Sequence, residues 1–206
     1  MPKLATCLWF NGQAEEAARY YTSIFKNSRI GAITRYPDEG REIHGGKPGS
    51  VLMIEFEIEG SKFAGLNGGP RHNKFNLAIS FQVPCASQKE LDYYWEKLSR
   101  GGDKKAQECG WLKDKYGISW QVFPARLPRM LGDKDPLKAN RVMKAMMHMK
   151  KLNVKVLERA YSAEAEAVRF HAGKWSASAD KIRKRLSGKG RSYADSAKLA
   201  REDRER

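Results

Sequence analysis

One pattern constrains this chain more than any other. A strand, a helix and then further strands occur in that order twice within its first 124 residues. In the first occurrence, residues 4–10 are a short apolar run stopped by Asn11-Gly12, as a buried strand would be. Residues 13–25 place Ala14, Ala17, Ala18, Tyr21 and Phe25 at helical spacing. Residues 28–36 read as a strand and 37–49 as a loop rich in glycine and charge. In residues 51–59, Ile54, Phe56 and Ile58 alternate with Glu55, Glu57 and Glu59, which predicts a strand with one buried and one wet face. Gly60-Ser61 turns into a partner strand at 62–66, which ends in Asn67-Gly68-Gly69-Pro70. The second occurrence runs through a strand at 78–83, a helix at 87–99, a break at Gly101-Gly102, short strands around 109–115, and a turn at Gly117 into 118–124. One such unit cannot bury both a helix face and a sheet face, whereas two packed together can. The expectation is an α+β fold of two βαβββ modules, the first over about residues 3–68 and the second over about 75–124.

The strand faces bear on function. In residues 79–83, Ile79, Phe81 and Val83 share one side, and Ser80 and Gln82 the other. Residues 118–122 repeat the arrangement, with Ser119 and Gln121 opposite Ile118, Trp120 and Val122. Such a neutral polar face is either plainly solvated or lines a concave cavity in which a few hydrogen bonds orient a small ligand. Trp120 reads as core. Trp9 corresponds by register to Ser80, and Trp111 follows Gly110, so these two are the aromatic candidates for ligand contact.

These residues carry a family resemblance. Leu8-Trp9-Phe10-Asn11-Gly12-Gln13-Ala14-Glu15-Glu16-Ala17, Tyr20-Tyr21 and Phe25-Lys26-Asn27-Ser28 resemble the opening of the PhnB-like, 3-demethylubiquinone-9 3-methyltransferase-like branch of the vicinal oxygen chelate (glyoxalase/bleomycin resistance) superfamily. Leu66-Asn67-Gly68-Gly69-Pro70, Phe75-Asn76, Cys109-Gly110-Trp111-Leu112-Lys113-Asp114-Lys115-Tyr116-Gly117 and Ile118-Ser119-Trp120-Gln121-Val122 continue it in order. The resemblance implies sheets curled around a ligand cavity, usually in a homodimer. Ligand contacts would then come from Trp9, Ser80, Gln82, Trp111, Ser119 and Gln121.

The family label names a methyltransferase. A donor of the adenosyl type is normally held by a glycine-rich turn between a strand and a helix. Here the glycine-rich residues 67–70 follow a hairpin strand and lead through Pro70 into a loop. Metal-using members of the superfamily supply His or Glu from the first and last strands of each module. The counterparts here lie near Thr6-Cys7, Asn76-Leu77, Ala64 and Gln121, none of them a His or a carboxylate, so neither a resident divalent metal nor another cofactor is expected. His72, in the crossing between the modules, is either a solvated loop histidine or a general base at the cavity mouth. Cys109 is either a buried structural thiol or one facing the cavity. The resulting expectation is a metal-independent small-molecule-binding protein, with an enzyme in the same cavity (methyltransferase, lyase or dioxygenase) as the alternative.

Composition enters through charge. The chain has 206 residues and a formal charge of +15, which suggests a nucleic-acid partner. Residues 1–124, however, hold 17 Lys+Arg against 14 Asp+Glu, and residues 125–206 hold 22 against 10. The excess belongs to the last two-fifths. There, Asp135-Pro136 opens a helix in which Val142, Met143, Met146 and Met149 share a stripe, suited to docking on the modules or on a second subunit. Residues 125–160 read as a helical segment and 161–206 as a basic tail. Within it, residues 162–206 are the one stretch where nucleic acid or another polyanion is a candidate partner. Three cysteines make no disulfide framework, and no apolar window is long enough to span a membrane. A short apolar start interrupted by Asn11-Gly12 is no secretion signal, so the expected compartment is the cytoplasm.

Overall fold

The alternation at residues 51–59 becomes the middle of a twisted sheet in the structure, a computed structural model that describes residues 4–70 and 75–163. The first module consists of β1 (Thr6–Phe10), α1 (Ala14–Ile24), β2 (Arg29–Arg35), a single helical turn α2 (Arg41–His44), β3 (Val51–Ile58) and β4 (Ser61–Asn67). Its sheet has the order β1-β4-β3-β2. The second module consists of β5 (Phe81–Cys85), α3 (Gln88–Ser99), β6 (Trp111–Lys113) and β7 (Ser119–Pro124), with the sheet order β5-β7-β6. The duplication is visible in the pairing, because in each module the first strand lies parallel to the last: β1 on β4 and β5 on β7. Among the described residues three helices follow: α4 (Leu127–Leu131), α5 (Pro136–Met147) and α6 (Val154–Ser162).

The α+β class and the paired modules are as expected, with two local differences. In the second module the place of a second strand is taken by a 3-10 turn at Lys104–Ala106, followed by one bridge between Glu108 and Trp111. Asp103 caps that turn by accepting from the Lys105 amide at 2.8 Å, an arrangement that competes with an extended chain. In addition, β5 begins at Phe81 rather than at residue 78. The Asn76 carboxamide accepts from the Ala78 amide at 2.9 Å and bends the chain there. Ile79 therefore stays 72% exposed instead of joining Phe81 and Val83 in the core.

The helix starts explain where each module turns. Ser87 accepts from the Glu90 amide at 3.2 Å while Glu90 reaches back to the Ala86 amide at 2.6 Å, a reciprocal cap on α3. No local side chain caps α1. The buried Asn67 does so from the end of β4, accepting from the Ala14 amide at 3.0 Å and donating to the Val51 carbonyl at 2.9 Å. One side chain thereby ties α1, β3 and β4 together. Downstream, Asp135 and Asn153 cap α5 and α6. Val142, Met146 and Met149 pack inward at i, i+4 and i+7, but Met143 is rotated off that stripe and is 43% exposed.

The modules meet through aromatic rings. Phe25 of the first module stacks on Tyr94 at 5.0 Å and on Trp120 at 5.5 Å, and Phe63 meets Phe81 edge-on at 5.3 Å. Within this seam the Asp114 carboxylate, 2% exposed, accepts from the Tyr21 hydroxyl and the Trp120 indole at 2.8 Å each. It also accepts from the Tyr116 and Ile118 amides, at 2.9 and 3.0 Å. Burial pushes its carboxyl above the usual range, and these four donors pull in the opposite direction.

In Asp114→Asn, the amide oxygen can keep some of the donors, but the NH2 group then faces an indole N–H that cannot turn to accept. The expected loss is about 2 kcal/mol in denaturant unfolding. Because the raised carboxyl binds its proton more readily in the folded state, wild type should lose stability relative to Asp114→Asn as pH rises from the ordinary carboxylate range through the raised value, and the difference should be flat above it. A difference independent of pH would contradict this. Asn67→Leu leaves the Ala14 amide and the Val51 carbonyl without their partner and should cost about 2–3 kcal/mol, read as a lower unfolding midpoint.

Candidate functional site

Each sheet buries one face beneath its helix and leaves the other open, because side chains alternate along a strand. On the second sheet, Gln82 pairs in register with Gln121, and Gln121 with Trp111. These three therefore stand together on the open face. The Gln121 carboxamide is oriented: its NH2 group donates to the Ser80 hydroxyl at 2.8 Å, and its oxygen lies 3.5 Å from the Gln82 amide nitrogen. Above them, α4 and α5 close one side of an open pocket of about 280 Å³. Gln82, Gln121 and Trp111 meet there with Cys109, while Phe123, Leu127, Leu131 and Met146 complete an apolar wall.

Ser119 shares the strand face but not the pocket. It is 1% exposed and covered by the segment before β5, its hydroxyl 3.5 Å from the Asn76 carbonyl. Trp9 lies on the open face of the other sheet, in register with Leu66, and its indole donates to the Gly69 carbonyl at 2.9 Å. A Cβ at Gly68 would fall 2.1 Å from the Trp9 ring, so this close approach requires glycine. The candidates thus divide into Gln82, Trp111 and Gln121 on one sheet, with Ser80 just before β5 and Cys109 just before β6 beside them, and Trp9 on the other sheet; Ser80 holds Gln121 without lining the pocket. His72 lies outside the described residues, as do residues 164–206 of the basic tail.

Larger concavities lie on the open face of the first sheet, one of about 440 Å³ lined by Arg29, Glu55, Glu57, Lys62 and Ala64. Arg29 and Glu57 are paired across it at 2.6 Å. That wall is charged and self-neutralised. The second-sheet pocket, though open, sets an apolar wall against a few directed polar groups, the combination that small organic ligands require.

Of the pocket's lining groups only Cys109 titrates as an acid, and burial, with Glu108 nearby, holds its thiol above the ordinary range. Cys85 is further from use, its thiol pushed by burial up to about 12. Neither is poised as a thiolate nucleophile. Metal-using members of the superfamily would draw ligands from the first and last strands, where β1 faces β4 through Cys7 and Ala64, and β5 faces β7 through Gln82 and Gln121. One thiol, a methyl group and two neutral amides do not fit a divalent ion. Among the described residues, no three of His, Cys, Asp and Glu converge, and no helix is long and apolar enough to cross a membrane.

The apolar wall was not legible in advance. Leu127, Leu131 and Met146 lie in helices beyond the duplicated unit, and only tertiary packing brings them over Gln121. The available signal was the Met stripe, which marks an adaptable packing face without naming its partner.

A sequence model described as 3-demethylubiquinone-9 3-methyltransferase matches residues 2–123. Among solved structures, a putative 3-demethylubiquinone-9 3-methyltransferase, PhnB protein, from Bacillus cereus is 35% identical, with 59% of this chain covering 99% of that one at a TM-score of 0.50. A Staphylococcus aureus protein is 29% identical over 59% of this chain and 94% of its own, with a TM-score of 0.26. The fosfomycin resistance protein FosX from Listeria monocytogenes is 16% identical over 64% and 98%, with a TM-score of 0.42. No curated protein matches the chain. The family match ends at Phe123, so α4, α5 and α6, which supply part of the pocket wall, lie outside it. With 122 of 206 residues matched and the paired modules in place, the chain belongs to the 3-demethylubiquinone-9 3-methyltransferase family, in the PhnB-like branch of the vicinal oxygen chelate superfamily.

Proposed function

We propose that this protein binds a small organic molecule, without a metal, in the pocket between the open face of the second sheet and helices α4 and α5. The observation that carries the reading is the oriented carboxamide of Gln121, held by Ser80 beneath an apolar wall and beside the Trp111 ring. With its NH2 group engaged by Ser80, Gln121 offers further donor and acceptor capacity together with Gln82. The ligand class is an uncharged, compact, ring-containing molecule with a carbonyl or hydroxyl. Trp111 covers the ring and the two amides meet the oxygen.

The family's description names methyl transfer to 3-demethylubiquinone, whose oxygenated ring belongs to that class. Ring binding is the part of that name this pocket supports. The glycine-rich residues 67–70 are committed elsewhere: Asn67 caps α1, and the Gly69 carbonyl receives the Trp9 indole. Among the described residues, no glycine-rich strand-to-helix turn forms the cradle of an adenosyl donor. The protein also works as a homodimer in this reading. Leu4 is fully exposed and Leu77 and Ile79 largely so, all beside β1 and β5, one edge strand of each sheet.

A thermal-shift screen of small oxygenated ring compounds, with an adenosyl donor included, tests the ligand. A hit should stabilise wild type and bind Gln121→Leu about tenfold more weakly, the worth of one good hydrogen bond. Equal affinity for both proteins, or a library with no hit, would remove the pocket from consideration, and tight adenosyl-donor binding would restore the methyltransferase. Sedimentation measures the assembly: Ile79→Lys should shift a dimer towards monomer, and a wild type that sediments as a monomer refutes it.

A further inference from the structure

The Gln121 carboxamide carries two N–H donors and two oxygen lone pairs, and its neighbours account for one of each. One N–H goes to the Ser80 hydroxyl at 2.8 Å, and the oxygen faces the Gln82 amide nitrogen at 3.5 Å. Among the described residues no other protein group takes up the remaining donor and acceptor. The directions of the two contacts follow from the strand. Ser80 and Gln82 lie two residues apart beside Gln121, roughly 6.6 Å along an extended chain. The nitrogen and oxygen of one carboxamide are only about 2.3 Å apart, as bonds of about 1.23 and 1.33 Å from a shared carbon dictate. The contacts therefore diverge and draw on the outward-pointing N–H and lone pair. What is left is the converging pair, a donor and an acceptor on adjacent atoms that point the same way. Trp111 stands beside Gln121 in register, and Leu127, Leu131 and Met146 close the pocket around them.

We propose that the ligand of this pocket is a planar ring containing a cis-amide, a lactam or an imide, whose N–H and C=O pair with that edge of Gln121. The class deepens the small-molecule reading of the pocket and rests on it. Spacing selects it. In a ring amide the N–H and C=O are also about 2.3 Å apart and point the same way, so both hydrogen bonds to Gln121 are straight. Glutamine reads the donor–acceptor edge of adenine by the same bidentate contact. A ketone, an ester or a phenol brings one oxygen and leaves the other position of Gln121 unmet beside an apolar wall, which costs affinity. A ring with vicinal hydroxyl and carbonyl has both groups, but it turns the hydroxyl hydrogen onto its own carbonyl. Trp111 supplies the flat apolar surface against which such a ring stacks.

The test titrates the full chain, nitrogen-labelled so that the glutamine side-chain NH2 signals are visible, with neutral rings of similar size. The probes are 2-pyridone, its N-methyl derivative, and maltol, which carries a vicinal hydroxyl and carbonyl. Methylation removes the ligand's donor and keeps its carbonyl. 2-Pyridone should bind at least tenfold more tightly than either of the others and shift the Gln121 NH2 signal. Gln121→Glu, which keeps the size but has no donor, should weaken 2-pyridone at least tenfold at an unchanged melting temperature. The two pyridones are compared on wild type, so the outcome does not depend on how the variant folds. N-methyl-2-pyridone or maltol binding as tightly as 2-pyridone would overturn the amide class and leave the pocket as a site for oxygenated rings. Undiminished 2-pyridone binding by a folded Gln121→Glu would overturn it as well. Binding of none of the probes would remove the pocket reading and the amide class together.

Discussion

The two modules are joined around a single buried carboxylate. Asp114 sits in the turn between β6 and β7, yet two of its four donors, Tyr21 and Trp120, come from the helix of one module and the last strand of the other. A buried carboxylate is costly unless its acceptor sites are filled. Here they are filled only when α1 lies against the second sheet, so the module packing and the turn conformation require each other. The aromatic seam follows from the same constraint. With the Tyr21 hydroxyl on Asp114, its ring is held 5.5 Å from Trp120, and Phe25, one turn further along, reaches both Trp120 and Tyr94. The helices thereby occupy the space between the modules, and both sheets keep their second faces open.

That geometry explains which parts of the fold were legible. Period-two alternation assigned the faces of β3, β5 and β7 correctly, because each strand has one face under a helix and one uncovered. It failed where a local hydrogen bond outweighed the pattern. Asn76 bends the chain before β5 and removes Ile79 from the core, and the short strands expected around 109–115 reduce to β6 and a single bridge between Glu108 and Trp111. Residue-type patterns carry no such information, since an Asn or Asp that makes a turn reads the same as one that is merely exposed. Asn67 is the sharper case. It reads as the start of a glycine-rich turn, but its side chain caps a helix that begins 53 residues earlier.

The candidate site was legible on one side only. Gln82 and Gln121 could be placed on the polar faces of their strands from periodicity, whereas Trp111 was a candidate only through its place after Gly110. Ser119 belongs to that face too, but the segment carrying Asn76 covers it, and no strand pattern reports what crosses above a residue. The opposite wall depends on how residues 125–163 return to the second sheet. Its anchors are long-range and polar: Gln88 on α3 exchanges hydrogen bonds with the Leu152 carbonyl and the Val154 amide, and Lys151 pairs with Asp92 at 2.7 Å.

Those anchors also bear on the charge excess. Residues 125–163 hold ten Lys+Arg against three Asp+Glu, and Arg126, Lys138, Arg141 and Lys151 among them have structural partners. Arg141 donates to the Ala160 and Tyr161 carbonyls at the end of α6, where the helix dipole favours a cation, and Arg126 meets Glu158 at 3.2 Å. Lys138 lies over the Tyr161 ring. Exposed pairs of this kind are each worth little in stability, on the order of 1 kcal/mol or less. Their effect is to orient: they hold α5 and α6 together and, through the turn at residues 148–153, against α3 and the second sheet. A basic segment that resembles a nucleic-acid element in composition thus acts, over its described part, as the clamp that keeps an apolar wall above Gln121. Weakening the clamp would open the pocket without touching any residue that lines it.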